Sequence, residues 1–503
     1  MKITSYLKNK NIPRVLCNNE KQSCEGYITV AECCEVVTKL KKNKSPGLDG
    51  LPSEFYDVFF PRIGEFLVQV YNEAFNEGEL IESQKRSVLS LIFKKDDNRL
   101  LKNYRPISLA TTDYKIVAHI LANRIKPVLP GIISESQSGY IKGRYIGENI
   151  RLVQDVIQYA KKFKKQGILL FLDFQKAFDS IEWEFMWKSL LKYNFGPEFI
   201  KWVKTLYVDP IAICKNNGWL SKEISLKRGI RQGCPISALL FIIATDILAE
   251  NLKQQLRGIS ITLNNKYKEI KLSQYADDTV LFLKNEAEVF KAIHILKEFQ
   301  LVAGLKLNVA KTEALYLGDN FQDIMFVAGI QCVTHGSVRC LGIHVGHDQT
   351  NCDKLNWETK LSEIEKLLNM WKQRDLTLFG KITIIKMLAL PKILHVAQNT
   401  VHYTIHINKL KQLFFNFIWP KRDRIKRNTL VAPYSSGGLN RIDVESYFKA
   451  LKASWFMKII VCDAKDWCFF PVNMYNFCYE NRLLLKMQFN TKLIDCNLST
   501  VKC

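Results

Sequence analysis

Long apolar runs are missing from these 503 residues. The most apolar stretch, SALLFIIATDIL (237–248), is broken by Asp246 and is far too short to span a bilayer. The amino terminus, MKITSYLKNKNIPRVL, has no apolar core of the kind a secretion signal needs. A membrane partner is therefore not expected, and the chain is assigned to the cell interior, in the cytoplasm or nucleus. The 14 cysteines and eight histidines are scattered, with no CxxC and no zinc-like spacing. Cys33 and Cys34 adjoin, while Cys462, Cys468, Cys478 and Cys496 are loosely spaced. Without a secretion signal these thiols are expected to be reduced. Neither HExxH nor a Ser-His-Asp arrangement offers a hydrolytic centre. The Gly-Lys of LTLFGKITII fails as a P-loop because Asp375 stands where a glycine is needed. That removes the commonest cradle for a nucleoside triphosphate. Internal repeats and low-complexity linkers are absent too.

Acid is also in short supply, with 49 Asp and Glu against 72 Lys and Arg, a formal charge of +23. A surplus spread along the whole chain favours a polyanionic partner, nucleic acid first and an anionic membrane surface second. The bland alternative is a merely soluble basic protein. An apolar share of 47 % supports a packed core, and the length allows several compact units, about two to four.

Residues 29–44 read as a helix, with Thr29 as cap and Glu32 at the capping-box position. SPGLDGLPSEFY is a turn-rich loop leading to a second helix near 52–77. SVLSLIFKKDD (87–97) predicts a short strand ending in charge, and residues 103–129 a loop entering a helix that stops at Pro127. Helical and strand patterns alternate to about residue 346, after which 360–395 looks purely helical. The class is α+β followed by an α-rich region.

Acids seated beside apolar strands need a reason. LSQYADDTVLFLKN (272–285) puts Asp277 and Asp278 at the tip of a predicted hairpin, where a solvated turn would serve equally well. GILLFLDFQKAFDSIEWEF (167–185) supplies a third acid, since ILLFLDF reads as a buried strand with Asp173 near its end. Asp179 and Glu182 have capping-box spacing, so Asp179 is expected to cap a helix. A strand-end Asp facing a hairpin-tip Asp is the minimum for two-metal phosphoryl transfer, with two Mg²⁺ ions about 3.5–4 Å apart on hard carboxylate oxygens. Neighbours in a strand point to opposite faces, so Asp277 is preferred as the direct ligand over Asp278. Between these acids, residues 226–252 join a basic loop containing Gly229, Arg228, Arg231 and Gly233 to a helix apolar nearly all round. Such a loop suits a template base and its partner, or is simply structural.

FLDFQKAFD (171–179), RGIRQGCPISALLF (228–241) and YADD (275–278), in this order and spacing, resemble motifs A, B and C of a reverse transcriptase. More specifically, the chain resembles the polymerase of LINE-type non-LTR retrotransposons. KKNKSPGLDGLPSEFY (41–56), NYRPISLATTDYKI (103–116), SQSGYIKGR (136–144), GLKLNVAKTE (304–313), RCLGIHVG (339–346) and residues 376–395 and 417–444 extend the likeness. It fades after about residue 456.

The resemblance implies a right-hand fold closing on a template–primer duplex: an N-terminal extension (1–75), fingers and palm (76–346), a helical thumb (347–420) and a basic C-terminal region without assigned role (421–503). It implies RNA template, DNA primer and dNTPs as partners, and two Mg²⁺ ions, or Mn²⁺, on Asp173, Asp277 and Asp278. Phe178 matches the residue under the sugar that excludes a 2′-hydroxyl, and Gln232 with Gly233 the support of the nascent base pair. Lys311 matches a lysine that protonates pyrophosphate, though a solvated lysine reads equally well. Arg105, with Lys94 or Lys95, would reach the triphosphate, although IFKKDDN lacks the proline that relatives place before the lysine. The basic stretch 420–427 is a candidate nucleic-acid contact or a solvated loop. Neither the endonuclease domain nor the cysteine–histidine knuckle of such elements is found, so the chain is expected to be a polymerase core or shortened copy needing an outside nick. A relic that binds nucleic acid without turnover is the alternative, and a group II intron-type maturase fits the later blocks poorly.

Overall fold

The computed structural model describes residues 2–94, 97–318, 326–333, 336–401, 404–419, 425–460 and 465–474. Thr29 caps the Val30–Lys39 helix, accepting from the Glu32 amide while the Glu32 carboxylate reaches back to the Thr29 amide at 3.0 Å. The second expected helix runs Ser53–Glu77 and ends at Gly78, whose φ of +80° only glycine adopts freely. The loop between them lies on the start of the Thr112–Ile125 helix. There Thr112 donates to the Leu51 carbonyl at 2.8 Å, and Gly47 sits so close to Thr111 that no side chain would fit.

Strands then alternate with helices. β1 (Arg86–Phe93) and β2 (Tyr104–Ala110) pair antiparallel. Two longer helices, Thr112–Ile125 and Ile146–Phe163, lead to β3 (Gly167–Leu172). After Trp183–Lys192 and Pro197–Thr205 come β4 (Ile211–Asn216), β5 (Trp219–Leu220) and β6 (Ile224–Ser225), which complete the first sheet by parallel pairing of β4 with β1. The Ser237–Gln255 helix precedes the hairpin of β7 (Ile259–Leu263) and β8 (Lys266–Ile270). A second hairpin joins β9 (Leu272–Tyr275) to β10 (Asp278–Leu283). Beyond the Glu286–Ala303 helix lie β11 (Glu313–Leu317), β12 (Phe326–Val327), β13 (Ile330–Val333) and the hairpin of β14 (Ser337–Cys340) with β15 (Ile343–Gly346). The second sheet runs β12-β13-β11-β3-β10-β9.

β3 is central to that sheet, and its unbroken apolar sequence follows from burial on both faces. Ile168, Leu170 and Leu172 enter one core, with the Ser237–Gln255 helix, the Thr112–Ile125 helix and the N-terminal residues Leu7 and Leu16. Leu169 and Phe171 enter the other, shared with the Ile146–Phe163 helix, β14–β15 and the C-terminal helices. The Ser237–Gln255 helix is buried nearly all round, as its sequence requires; its Asp246 is retained by accepting a 2.6 Å hydrogen bond from the Tyr193 hydroxyl.

After residue 346 the described chain is helical: Gln349–Lys372, Leu378–Ile384, Leu390–Asn399, Thr404–Ile418 and Val444–Ile460 are its main helices. A π-turn, Ile385–Ala389, joins Leu378–Ile384 to Leu390–Asn399, just before Pro391, which has no N–H to give the regular ladder. Nine described cysteines are free, whereas Cys468 is disulfide-bonded, a departure from the expectation of reduced thiols throughout. No helix among the described residues is long and apolar enough to cross a membrane.

Candidate active site

Asp173 is the first residue past β3, and its position is set by the segment 306–312 that runs beside it. Its carbonyl accepts from the Asn308 amide at 2.8 Å, Gln175 donates to the Lys306 carbonyl at 2.9 Å, and Phe174 bridges Leu307. Its carboxylate accepts from the Asn308 side-chain amide at 2.7 Å. The Asp173 amide donates to the Thr312 hydroxyl at 3.3 Å.

β10 pairs antiparallel with β3, Leu172 opposite Thr279, so one further step sets Asp173 across from Asp278. Tyr275 pairs with Asp278, leaving Ala276 and Asp277 as a two-residue loop. Ala276 has φ +57°, the sign that tight hairpins need at their first loop position and one that disfavours a side chain by roughly 1–2 kcal/mol. The turn therefore presents Asp277 and Asp278 beside Asp173.

The electrostatics follow from that crowding. Burial pushes the Asp277 carboxyl up, and Asp173 adds to the rise, while Arg105 and Lys94 oppose it. Burial, then Asp277, then Asp173 push Asp278 up to about 6. Asp278 is nevertheless open to water, so screening tempers this effect. With Asp173, Asn149, Lys311, Glu313 and Arg339, Asp278 lines a cavity of about 110 Å³.

Asp179 does not cap the following helix as its spacing predicts. Glu182 holds the position before Trp183–Lys192, and Asp179 lies within the short Ala177–Ser180 helix. Its carboxylate instead accepts from the Gln232 side-chain amide at 3.1 Å, a tertiary partner that outcompetes the local one. Ile230 donates to the Phe178 carbonyl at 2.7 Å, and Gly229, at φ +82°, packs against the Asp179 backbone where a side chain would collide. The loop is held from the other side as well. Ser108 of β2 donates to the Gln232 carbonyl at 2.8 Å, and Gly233 (φ +110°) abuts the Ser108 carbonyl. Phe178 is half-buried, its ring 4.5 Å from that of Phe241.

Lys94 and Arg105 are exposed near the junction of β1 and β2, close enough for both charges to act on Asp277. Lys95 and residues 420–424 of the basic stretch lie outside the described residues. Lys311, exposed in the Val309–Lys311 turn, faces the cavity. Sequence reasoning overlooked Asn308, Gln137 and Tyr140. The Tyr140 phenol is pushed up by burial and by the nearby Tyr275 and Asp277. All three lie in quoted blocks, but Asn and Gln carry no charge that would single them out.

Among the described residues no group of three or more His, Cys, Asp or Glu is drawn tightly enough to hold a metal ion as it stands. The donors present still fit a hard divalent cation. Asp173, Asp277 and Asp278 offer hard carboxylate oxygens, and the crowding that raises Asp277 and Asp278 is opposed only in part, by Arg105 and Lys94 acting on Asp277.

Residues 92–345 match the family described as reverse transcriptase (RNA-dependent DNA polymerase). The transposon TX1 uncharacterized 149 kDa protein of Xenopus laevis is 29 % identical over 486 residues, covering 94 % of this chain and 36 % of its own length. The RNA-directed DNA polymerase from mobile element jockey of Drosophila funebris is 23 % identical over 413 residues, 77 % of this chain and 43 % of its own. The retrovirus-related Pol polyprotein from type-2 retrotransposable element R2DM of Drosophila melanogaster is 25 % identical over 276 residues, 54 % of this chain and 25 % of its own. The chain thus spans less than half the length of each of these relatives. A solved structure of apo telomerase from Candida Tropicalis, truncated from its C-terminal domain, is similar at TM-score 0.37 and 11 % identity over 56 % of this chain and 59 % of that one, a likeness too slight to add weight. Reverse transcriptases generally use divalent metal ions. The family match takes in just over half of the sequence, and with relatives of this kind the chain belongs to the reverse transcriptase (RNA-dependent DNA polymerase) family, among those of LINE-type non-LTR retrotransposons.

Proposed function

We propose that this chain extends a DNA primer on an RNA template by nucleotidyl transfer, as the polymerase of a LINE-type element. The observation that carries the reading is the convergence of Asp173, at the end of β3, with Asp277 and Asp278 at the hairpin turn, facing the cations Arg105 and Lys94. Bound there, two divalent ions would activate the primer hydroxyl and neutralise the leaving pyrophosphate. The three aspartates hold that charge in place. Arg105, on β2, and Lys94, just past β1, draw the triphosphate toward them. Gln232 and Gly233, fixed between Asp179 and Ser108, support the nascent base pair. Phe178, backed by Phe241, lies below the sugar. Lys311 is the proton donor to pyrophosphate.

The two sheets, from residue 76 to 346, would act as fingers and palm and the helices of 347–420 as thumb. The surplus of 23 positive charges suits the duplex between them. Primer extension on poly(rA)/oligo(dT) with Mg²⁺, then with Mn²⁺, tests the proposal directly. Absence of extension by the wild-type chain under both ions would leave a nucleic-acid-binding relic as the reading.

A further inference from the structure

Residues 133–144 hold none of the side chains given a part in the proposed reaction, yet they are tied to the turn that carries Asp277, and Tyr140 lies near enough for the Asp277 charge to raise its phenol. The Gln137 side chain is only 1 % exposed. Its carbonyl oxygen accepts from the Ala276 amide and from the Gly139 amide, both at 2.8 Å. Its NH₂ group donates to the Ala276 carbonyl at 3.2 Å. Both backbone polar groups of Ala276, the residue in the left-handed conformation, therefore end on one side chain.

The clamp is itself anchored. Gln274 donates to the Ser136 carbonyl at 2.8 Å and Ser138 to the Gln274 carbonyl at 2.9 Å, laying this loop along the outer edge of β9. The Arg144 guanidinium donates to the carbonyls of Ser134, Gln137, Ile133 and Pro130, which holds the loop in shape. Gly139 passes so near the turn that a Cβ there would stand 2.5 Å from the Ala276 nitrogen.

A backbone conformation that an alanine disfavours persists only when its surroundings over-determine it. We infer that Gln137 is a positioning residue, which locks the Ala276–Asp277 turn and so aims the Asp277 carboxylate. Its catalytic consequence rests on the polymerase reading, whereas its structural consequence does not.

Two substitutions separate the parts. Gln137→Met keeps the volume and removes all three hydrogen bonds. Gly139→Ala keeps the bonds' donors and acceptors but drives a methyl against the turn, and the Gly139 backbone itself does not require glycine. Hydrogen exchange of the metal-free full chain, read on peptides covering 272–284, should show the Ala276 amide exchanging roughly tenfold faster in Gln137→Met. In primer extension both variants should lose kcat by roughly 10- to 100-fold. KM for dTTP and Kd for the duplex should stay within about threefold of wild type. Unchanged exchange at 272–284 in Gln137→Met would overturn the inference. So would a kcat loss matched by an equal loss of duplex affinity, with exchange raised throughout the chain. If the wild type itself fails to extend a primer, the polymerase reading falls, and the exchange measurement still decides the clamp.

Discussion

Replacing Asp278 by Asn should stabilise the metal-free protein while destroying the proposed activity. Burial and the neighbouring Asp277 and Asp173 raise the Asp278 carboxyl from 3.8 to about 6. A folded-state pKa above the unfolded one opposes folding as pH rises. The penalty is absent below about 4, grows between the two values, and is complete above about 6. Two units correspond to at most about 3 kcal/mol. Because Asp278 reaches water, screening reduces this to about 1 kcal/mol. Asn has nearly the same shape and no charge, so in EDTA at pH 8 the variant should melt about 2 °C above wild type. At pH 4 the two should melt together. Excess Mg²⁺ should stabilise the wild type more than the variant, reversing part of the difference. A variant that melts below wild type at pH 8, or a difference that ignores pH, would refute the reasoning that burial and the neighbouring acids together disfavour the Asp278 charge.

Asp173→Ala should abolish extension with duplex Kd and melting temperature nearly unchanged; retention of more than about a few per cent of activity would end the two-metal assignment. Phe178→Val should lower stability by about 1–2 kcal/mol, because the half-buried ring loses its contact with Phe241. If Phe178 also guards the sugar, the UTP/dTTP ratio of kcat/KM on one RNA template should rise at least about tenfold, and an unchanged ratio would make it core alone. Duplex affinity should fall with salt along a log–log slope of about −4 or steeper, measured by fluorescence anisotropy. A flat response would remove the charge argument.

Asp173 was legible because it contradicts its surroundings, a charge at the end of an apolar run; the hairpin acids, which a solvated turn would explain equally well, became legible only beside it. The Thr29–Glu32 cap was legible because both partners lie within one turn. What escaped notice depends on partners far away in the chain. Asp179 has local capping spacing, but Gln232, 53 residues on, takes its carboxylate. Gln137 binds a turn 139 residues later, and a neutral side chain leaves no periodicity or charge to mark it. The π-turn could have been suspected from Pro391 but not located, since a proline within a helix can be met by a kink, a break or a wider turn.

β3 has a consequence for the birth of the protein. Its first sheet partner, β10, begins at Asp278, 106 residues after Leu172 (278 − 172), and its other partner, β11, begins later still, at Glu313. At roughly 5–20 residues per second, a ribosome needs about 5–20 s to supply the first of these edges. Throughout that interval GILLFL lacks both of its edge partners and is an apolar, β-prone segment of the kind that seeds association between nascent chains. Its flanks, Lys164 and Lys165 before it and Asp173 after it, are the charges that oppose such stacking. Asp173→Ala would thus remove one of those flanking charges as well as a proposed metal ligand. A chaperone-rich host or slowed translation should therefore improve the soluble yield of that variant more than that of Asp277→Ala.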